Sequence, residues 1–262
     1  MTILADILGS KRREVAALLA EPRRRSGHTP LDVRATLRRP SGERMRFIAE
    51  VKLRSPSAGV LSSALSPEDR AKAYAEAGAA MVSVLCDGPY FGGSFDHLSA
   101  TRRQLSAAGH RVPVLAKEFV VDPRQVAEAR DRGADAVLLI ARIGNACSLS
   151  TLVRCARDEG IEPLVEIVDE RELEWALATE AGVIGVNARD LDTLEMDPVR
   201  TARVLATLPP DVVAIHMSGI RHAEDARAVA AGRADAALVG EALMRQDDPR
   251  PMLRELESAG VF

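Results

Sequence analysis

Five polar side chains stand at or just after short apolar runs of the sequence, and their types suit acid–base chemistry. Glu50 and Lys52 come at the end of the first run, Lys117 follows the third, Glu166 lies in the fifth and Asn187 ends the sixth. Because Glu50 and Lys52 are two positions apart, they point to the same side of a strand. Two lysines, two carboxylates and an amide brought together could exchange protons with a charged substrate.

A second group of residues has the composition of an anion site. Ser218–Gly219–Ile220 follows the seventh apolar run, and Gly240–Glu241 follows the eighth. Glycine lets the backbone approach a ligand closely, and free amides at the start of a helix attract negative charge. In α/β barrels, phosphate is frequently held after the last two strands. The two turns therefore predict a phosphate site, although ordinary turns use the same residue types.

Eight runs rich in Val, Ile and Leu must position these groups. The runs are Phe47–Val51, Met81–Leu85, Val112–Ala116, Ala136–Ile140, Pro163–Ile167, Val183–Asn187, Val212–His216 and Ala236–Gly240. Most show no polar alternation, which is typical of parallel strands covered on both faces, and their spacing leaves room for a helix after each strand. The 262 residues therefore predict an α/β fold, a (β/α)8 TIM barrel, as one domain over residues 1–262.

Helix start and stop signals lie between the apolar runs. Serine or aspartate precedes proline at 66–67, 122–123 and 197–198, where the first residue can cap free amides and proline fits the first helical turn. Gly78, Gly109, Gly133 and Gly182 precede strands, where a left-handed residue ends a helix. Residues 1–45 carry apolar residues at helical spacing, which predicts an N-terminal helical extension that packs on the barrel.

Composition restricts the classes of partner and the cellular compartment that we expect. The net charge of −3 argues against a nucleic-acid surface, and no apolar run is long enough to span a membrane. The start of the chain has no signal-peptide pattern, and Cys86, Cys147 and Cys155 show no metal-binding spacing. We therefore expect a cytoplasmic enzyme with a small-molecule substrate, as a monomer or weak homo-oligomer, with no metal and with neither nucleic acid nor a membrane as partner.

Extended stretches around these residues resemble indole-3-glycerol-phosphate synthases. The similar stretches are ILADILGSKRREVAAL at 3–18, FIAEVKLRSPSAG at 47–59, VSVLCDGPYFGGS at 82–94, PVLAKEFVVDP at 113–123, GADAVLLIA at 133–141, LVEIVDERELEWAL at 164–177, IGVNARDLDTLEMD at 184–197 and ALVGEALM at 237–244. The resemblance runs nearly the whole length of the chain. It implies a carbon–carbon lyase (carboxy-lyase) of tryptophan biosynthesis that closes an indole ring without a metal or organic cofactor.

The resemblance also implies a substrate and roles for the five polar residues. The substrate would be 1-(2-carboxyphenylamino)-1-deoxyribulose 5-phosphate, and the products indole-3-glycerol phosphate, carbon dioxide and water. Lys117 would be the general acid, and Glu166 the proton-transfer partner in dehydration. Lys52 would pair with the substrate carboxylate and could also protonate the leaving hydroxyl. Glu50 would hold Lys52, and Asn187 would hydrogen-bond substrate oxygens.

The same resemblance implies two binding regions beside the acid–base groups. Phosphate would be held by Ser55, Ser218, Gly219, Gly240 and the Glu241 amide. The walls of the aromatic pocket would be Phe91, Phe119 and Leu138, each of which is equally typical of core packing. Phosphate would thus anchor one end of the substrate while the charged groups act on the other.

Met217 departs from the resemblance, because the family usually has glutamate just before the Ser-Gly pair. Three interpretations stay open: a slower or repacked synthase, a paralogue acting on a different aromatic amine, and a catalytically silent barrel that binds a phosphate ligand. Another phosphate-binding barrel, such as a phosphoribosylanthranilate isomerase or a flavin-binding barrel, is a further alternative. Cys86 could serve the isomerase chemistry, but it lies in a stretch that resembles the synthases.

Overall fold

The structure is a computed structural model that describes residues 3–20, 23, 25–56, 59–62 and 64–260. Parallel strands form one closed barrel, in which each strand pairs with the next along the chain and the last pairs with the first. The barrel strands are β1 Arg46–Val51, β2 Met81–Leu85, β3 Val114–Lys117, β4 Ala136–Ile140, β5 Glu162–Ile167, β6 Val183–Asn187, β7 Val213–Met217 and β8 Ala236–Val239. The predicted (β/α)8 barrel is confirmed, and strand bounds differ from the predicted ones by at most two residues.

Helices cover the outside of the barrel and extend it at the start of the chain. They are α1 Ile3–Ala20, α2 Val33–Leu37, α3 Pro67–Ala77, α4 Gly88–Phe91, α5 Phe95–Ala107, α6 Pro123–Asp131, α7 Ala146–Asp158, α8 Glu170–Ala178, α9 Pro198–Ala206, α10 Ala223–Ala230, α11 Glu241–Met244 and α12 Arg250–Ala259. Ser66 caps α3 by accepting a hydrogen bond from the Asp69 amide at 3.2 Å. Asp197 caps α9 by accepting one from the Arg200 amide at 2.9 Å. The predicted starts are confirmed, because these oxygens bind amides that the first turn leaves free.

The prediction that a left-handed glycine ends the helix is wrong at one of the four positions. Positive φ angles of 106°, 74° and 93° are found at Gly78, Gly109 and Gly133. Gly182 does not have a positive φ, and the left-handed residue after α8 is Glu180, with φ 58°. A Cβ atom at Gly182 would meet the guanidinium group of Arg34, which is the end of a flexible and half-exposed side chain.

The apolar strand residues form two layers of core. Inward-facing side chains fill the barrel, among them the fully buried Ile48, Leu115, Leu164 and Ile215. Outward-facing side chains, such as that of Val82, pack beneath the helices. Both faces of each strand are therefore covered, which explains why the sequence shows little polar alternation within the runs.

The helices before β1 contribute to the barrel interior. Leu4 and Ile7 of α1 are buried in the same cluster as Phe119, which lies just beyond β3. Val33 and Leu37 of α2 join this cluster and are also buried. Both helices thus bury apolar side chains against the barrel, as the helical spacing of the extension predicts.

Asp135 ties the segment before α2 to the start of β4. Its buried carboxylate accepts hydrogen bonds from the Leu31 amide at 2.8 Å, the Val114 amide at 2.6 Å and His28 Nε2 at 2.7 Å. Arg102 forms an ion pair with the same carboxylate. Four donors from three segments therefore depend on one side chain, and its removal would leave a buried guanidinium group without its carboxylate.

We predict that Asp135→Ala lowers the free energy of unfolding by about 3–5 kcal/mol, the usual cost of breaking a buried ion pair from one side. Urea denaturation followed by circular dichroism measures the change. The control is Asp211→Ala, which removes an exposed carboxylate and should change the stability by less than about 0.5 kcal/mol. Equal effects of the two substitutions would contradict the assigned role.

Candidate active site

A cavity of about 600 Å³ opens where the barrel strands end. Every residue that the sequence analysis singled out for the site lines it. These residues are Glu50, Lys52, Ser55, Phe91, Lys117, Phe119, Leu138, Glu166, Asn187, Met217, Ser218, Gly219, Gly240 and Glu241. Fold geometry explains the convergence, because parallel strands in a closed barrel end on a common rim.

Glu166 joins a lysine to an amide on one side of the cavity. Its Oε1 accepts a hydrogen bond from Asn187 Nδ2 at 2.8 Å, and its Oε2 lies 3.7 Å from Lys117 Nζ. Asn187 Oδ1 in turn accepts a hydrogen bond from the Arg189 amide at 3.0 Å. Glu166 Oε2 is buried and accepts no hydrogen bond in the structure. The carboxylate is thus held in position while one oxygen stays available to take a proton.

Lys52 and Glu50 form the second pair. Lys52 Nζ lies 3.2 Å from Glu50 Oε1, and the carboxylate is almost fully buried. Gly240 makes this position possible, because a Cβ atom there would come within 2.5 Å of Glu50 Oε1. Glycine at position 240 therefore brings the turn after β8 against the end of β1, so the acid–base groups and the expected anion site are adjacent.

The backbone turns sharply directly after β7. Ser218 and Gly219 both adopt positive φ, at 71° and 91°, and backbone amides in a turn can form a concavity for an anion. Burial lowers the pKa of His216, so its ring is neutral near pH 7, and Nε2 donates to the Ser218 carbonyl at 2.9 Å. That hydrogen bond supports a conformation that residues other than glycine seldom adopt.

The turns after β7 and β8, both predicted to bind an anion, differ in how many residues separate them from the next helix. After Gly240, α11 begins at once with Glu241, whereas α10 begins only at Ala223, three residues beyond Ile220. The helix expected directly after Ser218–Gly219 is therefore displaced. The Glu241 side chain binds Arg245 at 2.8 Å, and this hydrogen bond lowers the pKa of the Glu241 carboxyl. Only the backbone of Glu241 is thus suited to an anion.

An apolar end of the cavity lies beside these groups. The ring centroids of Phe91 and Phe119 are 5.8 Å apart, with planes inclined by 31°. Leu138 is fully buried in the barrel interior and forms part of the same cavity. Leu4 and Ile7 of α1 also line it, a contribution that the sequence analysis did not assign, although their helical spacing was the available signal.

Met217 lines the floor of the cavity. Only 1% of its surface is exposed, and its backbone is paired with that of Asn187 on β6. Its sulfur occupies the space above Gly185, where a Cβ atom would collide with Sδ. The thioether thus fills a gap between β6 and β7, as an adaptable side chain readily does.

Three arginines line the cavity that the sequence analysis did not single out. They are Arg189, Arg221 and Arg245, which follow β6, β7 and α11 respectively. Arg189 stands two residues after Asn187, so its position beyond a strand end was a usable signal. All three belong to the same cavity as Ser218 and Gly219, and cations that line a cavity favour an anionic ligand, although Arg245 is paired with Glu241.

Lys11 of α1 is fully buried in a cluster of carboxylates next to the apolar end. Its Nζ lies 2.7 Å from Glu14 Oε2, 2.8 Å from Asp87 Oδ1 and 3.1 Å from Glu118 Oε1. Burial opposes its charge, but the carboxylates raise the pKa of Lys11 above its ordinary value. Burial raises the pKa of Glu118 to about 7, although Lys11 acts in the opposite direction.

The described residues can be searched for clusters of metal ligands and for helices that could cross a membrane. Among the described residues, no group of three or more His, Cys, Asp or Glu side chains could hold a metal ion. No helix within the same ranges is long and apolar enough to cross a membrane.

Comparison with known proteins gives the family. A model of the family "Indole-3-glycerol phosphate synthase" matches residues 4–256. The chain belongs to the indole-3-glycerol phosphate synthase family. An indole-3-glycerol phosphate synthase of Mycobacteroides abscessus is 42% identical over 99% of this chain and 95% of the relative. The one of Mycolicibacterium smegmatis is 41% identical over the same shares.

Solved structures outside the synthase family share the fold. A thiamine phosphate pyrophosphorylase from Pyrococcus furiosus superposes with a TM-score of 0.62 at 14% identity, covering 87% of this chain and 97% of that one. A 3-hexulose-6-phosphate synthase from Salmonella typhimurium gives 0.62 at 16% identity, covering 82% and 98%. At these identities the comparison supports the barrel architecture and nothing about the reaction.

Because the pKa of Glu118 is raised in the folded protein, the free energy of unfolding should depend on pH. The folded protein keeps the Glu118 proton up to a pH of about 7, whereas the unfolded chain releases it near the ordinary value of 4.5. Raising the pH through this window should therefore destabilise wild type relative to Glu118→Gln, by about 3 kcal/mol. Urea denaturation of both proteins from pH 4 to 8 tests this, and parallel stability curves would contradict it.

Proposed function

We propose that this chain is an indole-3-glycerol phosphate synthase, which closes the indole ring of 1-(2-carboxyphenylamino)-1-deoxyribulose 5-phosphate in tryptophan biosynthesis. The observation that carries the proposal is the set of groups that line one cavity: apolar side chains, two lysine–glutamate pairs and the turn at Ser218 and Gly219. Membership of the family and relatives at 42% identity support it. The family name implies a lyase, and we assign the finer class of carboxy-lyase.

Ring closure needs an acid at the ketone of the substrate. The aromatic carbon that bears the carboxylate attacks the ketone carbon, a carbon–carbon bond forms, and the ketone oxygen takes a proton. Lys117 is the general acid for this step, because its ammonium group stands at the rim of the cavity beside the buried carboxylate of Glu166.

Decarboxylation and dehydration then restore aromaticity. Lys52 pairs with the substrate carboxylate until the carbon–carbon bond to that carboxylate breaks. Carbon dioxide then leaves, and the electron pair of the broken bond returns to the ring. The new hydroxyl leaves as water with a proton from Lys52, while Glu166 takes a proton from the neighbouring methylene. Glu50 holds Lys52 at 3.2 Å, and Asn187 both anchors Glu166 and offers its amide to substrate oxygens.

Substrate binding uses the two ends of the cavity. We assign the phosphate to Ser55, Ser218, Gly219, Gly240 and the amide of Glu241. The aromatic ring lies against Phe91, Phe119 and Leu138, which are the apolar side chains at the other end. Ligand position is then set by charge at one end and by shape at the other.

The cofactor requirement, the cellular compartment and the oligomeric state complete the proposed function. Each proton transfer above has a lysine or a glutamate of this chain assigned to it, so we propose that neither a metal nor an organic cofactor takes part. Cys86, Cys147 and Cys155 are free thiols, which suits a reducing compartment, and we propose that the enzyme acts in the cytoplasm. We further propose that it acts as a monomer or a weak homo-oligomer.

Lys117→Ala tests the assigned acid. We predict a loss of kcat of about 10²–10⁴-fold, the usual contribution of a general acid, in a protein that still folds, because the Glu166 carboxylate keeps its hydrogen bond from Asn187. Steady-state assays with the ribulose phosphate substrate measure it, and thermal unfolding checks the fold. Arg171→Ala, on the exposed side of α8, is the control and should keep wild-type kcat. A Lys117→Ala enzyme retaining more than about a third of wild-type kcat would overturn the role.

Met217→Glu tests whether the apolar side chain limits turnover. The new carboxylate would stand beside Asn187 and accept hydrogen bonds from substrate, and one such contact in a dry site changes the rate by roughly 5- to 150-fold. We predict a gain of that order in kcat/KM, and a smaller gain for Met217→Gln, which has similar length without charge. A slower Met217→Glu enzyme would mean that a carboxylate is not limiting here. Failure of all three proteins to turn over would direct the assay to ring-substituted substrates.

A further inference from the structure

Lys11 is anchored to two segments that carry the walls of the apolar end. Its ammonium group lies 2.8 Å from Asp87, directly after β2, and 3.1 Å from Glu118, directly after β3. Lys11, Asp87 and Glu118 are all buried, so water does not compete for the contacts that the ammonium group makes with the two carboxyl groups. Lys11 itself does not line the cavity, although Glu118 does.

Each of these two carboxylates also holds the backbone of a wall residue. Asp87 Oδ2 accepts hydrogen bonds from the amides of Tyr90 at 2.8 Å and Phe91 at 3.1 Å, and so caps the short helix α4. Glu118 Oε1 accepts one from the Phe119 amide at 2.7 Å. The same two carboxyl groups that bind one ammonium group therefore fix the backbone of both phenylalanines, whose rings are 5.8 Å apart.

We propose that Lys11 is a positioning residue that sets the separation of Phe91 and Phe119, and thereby the fit of the aromatic ring of the substrate. Without the ammonium group, Asp87 and Glu118 would lose the buried donor that bridges them, and their oxygens would be left without that partner. They would move apart or draw in water, and each would carry its phenylalanine with it. The identity of the ring rests on the proposed function, whereas the coupling of the walls to Lys11 does not.

A buried ion pair at the opposite end of the barrel provides a matched comparison. Arg102 is also buried, pairs with Asp135 and binds the carbonyls of Gly133 and Val112, all near the starts of β3 and β4. Its loss should destabilise the protein without moving the walls of the cavity. Asp135 accepts from the Val114 amide, so this amide reports on Arg102 as the Phe91 and Phe119 amides report on Lys11.

The experiment compares Lys11→Met with Arg102→Met. We expect Lys11→Met to raise KM for the ribulose phosphate about tenfold with kcat within about threefold of wild type, since ring binding is weakened while Lys117 and Glu166 stay in place. In hydrogen–deuterium exchange, the amides of Tyr90, Phe91 and Phe119 should exchange at least about tenfold faster. Arg102→Met should leave KM and these amides unchanged and accelerate exchange at Val114.

Lys11→Gln guards against a variant that fails to fold. The glutamine amide can donate to both carboxylates without the charge, so KM and exchange at the three wall amides should change in the same direction by a smaller factor. Unchanged KM and exchange in a folded Lys11 variant would overturn the proposal, as would equal effects of Lys11→Met and Arg102→Met on KM. If wild type did not turn over the substrate, the proposed function would fail, and amide exchange alone would still decide the role of Lys11.

Discussion

Closure of the parallel sheet is the constraint on which the site depends. Pairing of β1 with β8 turns the sheet into a barrel and brings the carboxyl ends of all its strands to one rim. Residues far apart in the chain then become neighbours: Glu50 lies against Gly240, and Lys117 faces Glu166. The interior beneath the rim is filled by aliphatic side chains, so the polar groups have no room to withdraw and must meet one another or a ligand.

Pairing of opposite charges makes this crowded rim stable. A carboxylate buried without a partner would be costly, and those of Glu50 and Glu166 each have a lysine within 4 Å. Lys117 and Glu118 are adjacent in the chain but belong to different clusters, since Glu118 binds Lys11 of α1. The N-terminal extension is thereby joined electrostatically to the strand that carries the proposed general acid.

Small residues decide how closely these groups approach. Gly240 leaves space for the Glu50 carboxylate, and Gly185 leaves space that the Met217 thioether fills. The anion turn depends on a different property, since Ser218 adopts a left-handed conformation that His216 supports from behind the strand. Packing, rather than charge alone, therefore decides how closely the side chains and turns of the rim approach one another.

The amino-acid sequence by itself determined the architecture and the chemical types at the site. Apolar runs, caps such as Ser66 and strand-end residues such as Lys117 are local signals, and the structure agrees with them to within about two residues per strand. Tertiary structure alone decided which distant groups touch. The Lys11 cluster, the packing of Met217 on Gly185 and the left-handed Glu180 in place of Gly182 depend on the space and charge that other segments supply, and no local pattern encodes those.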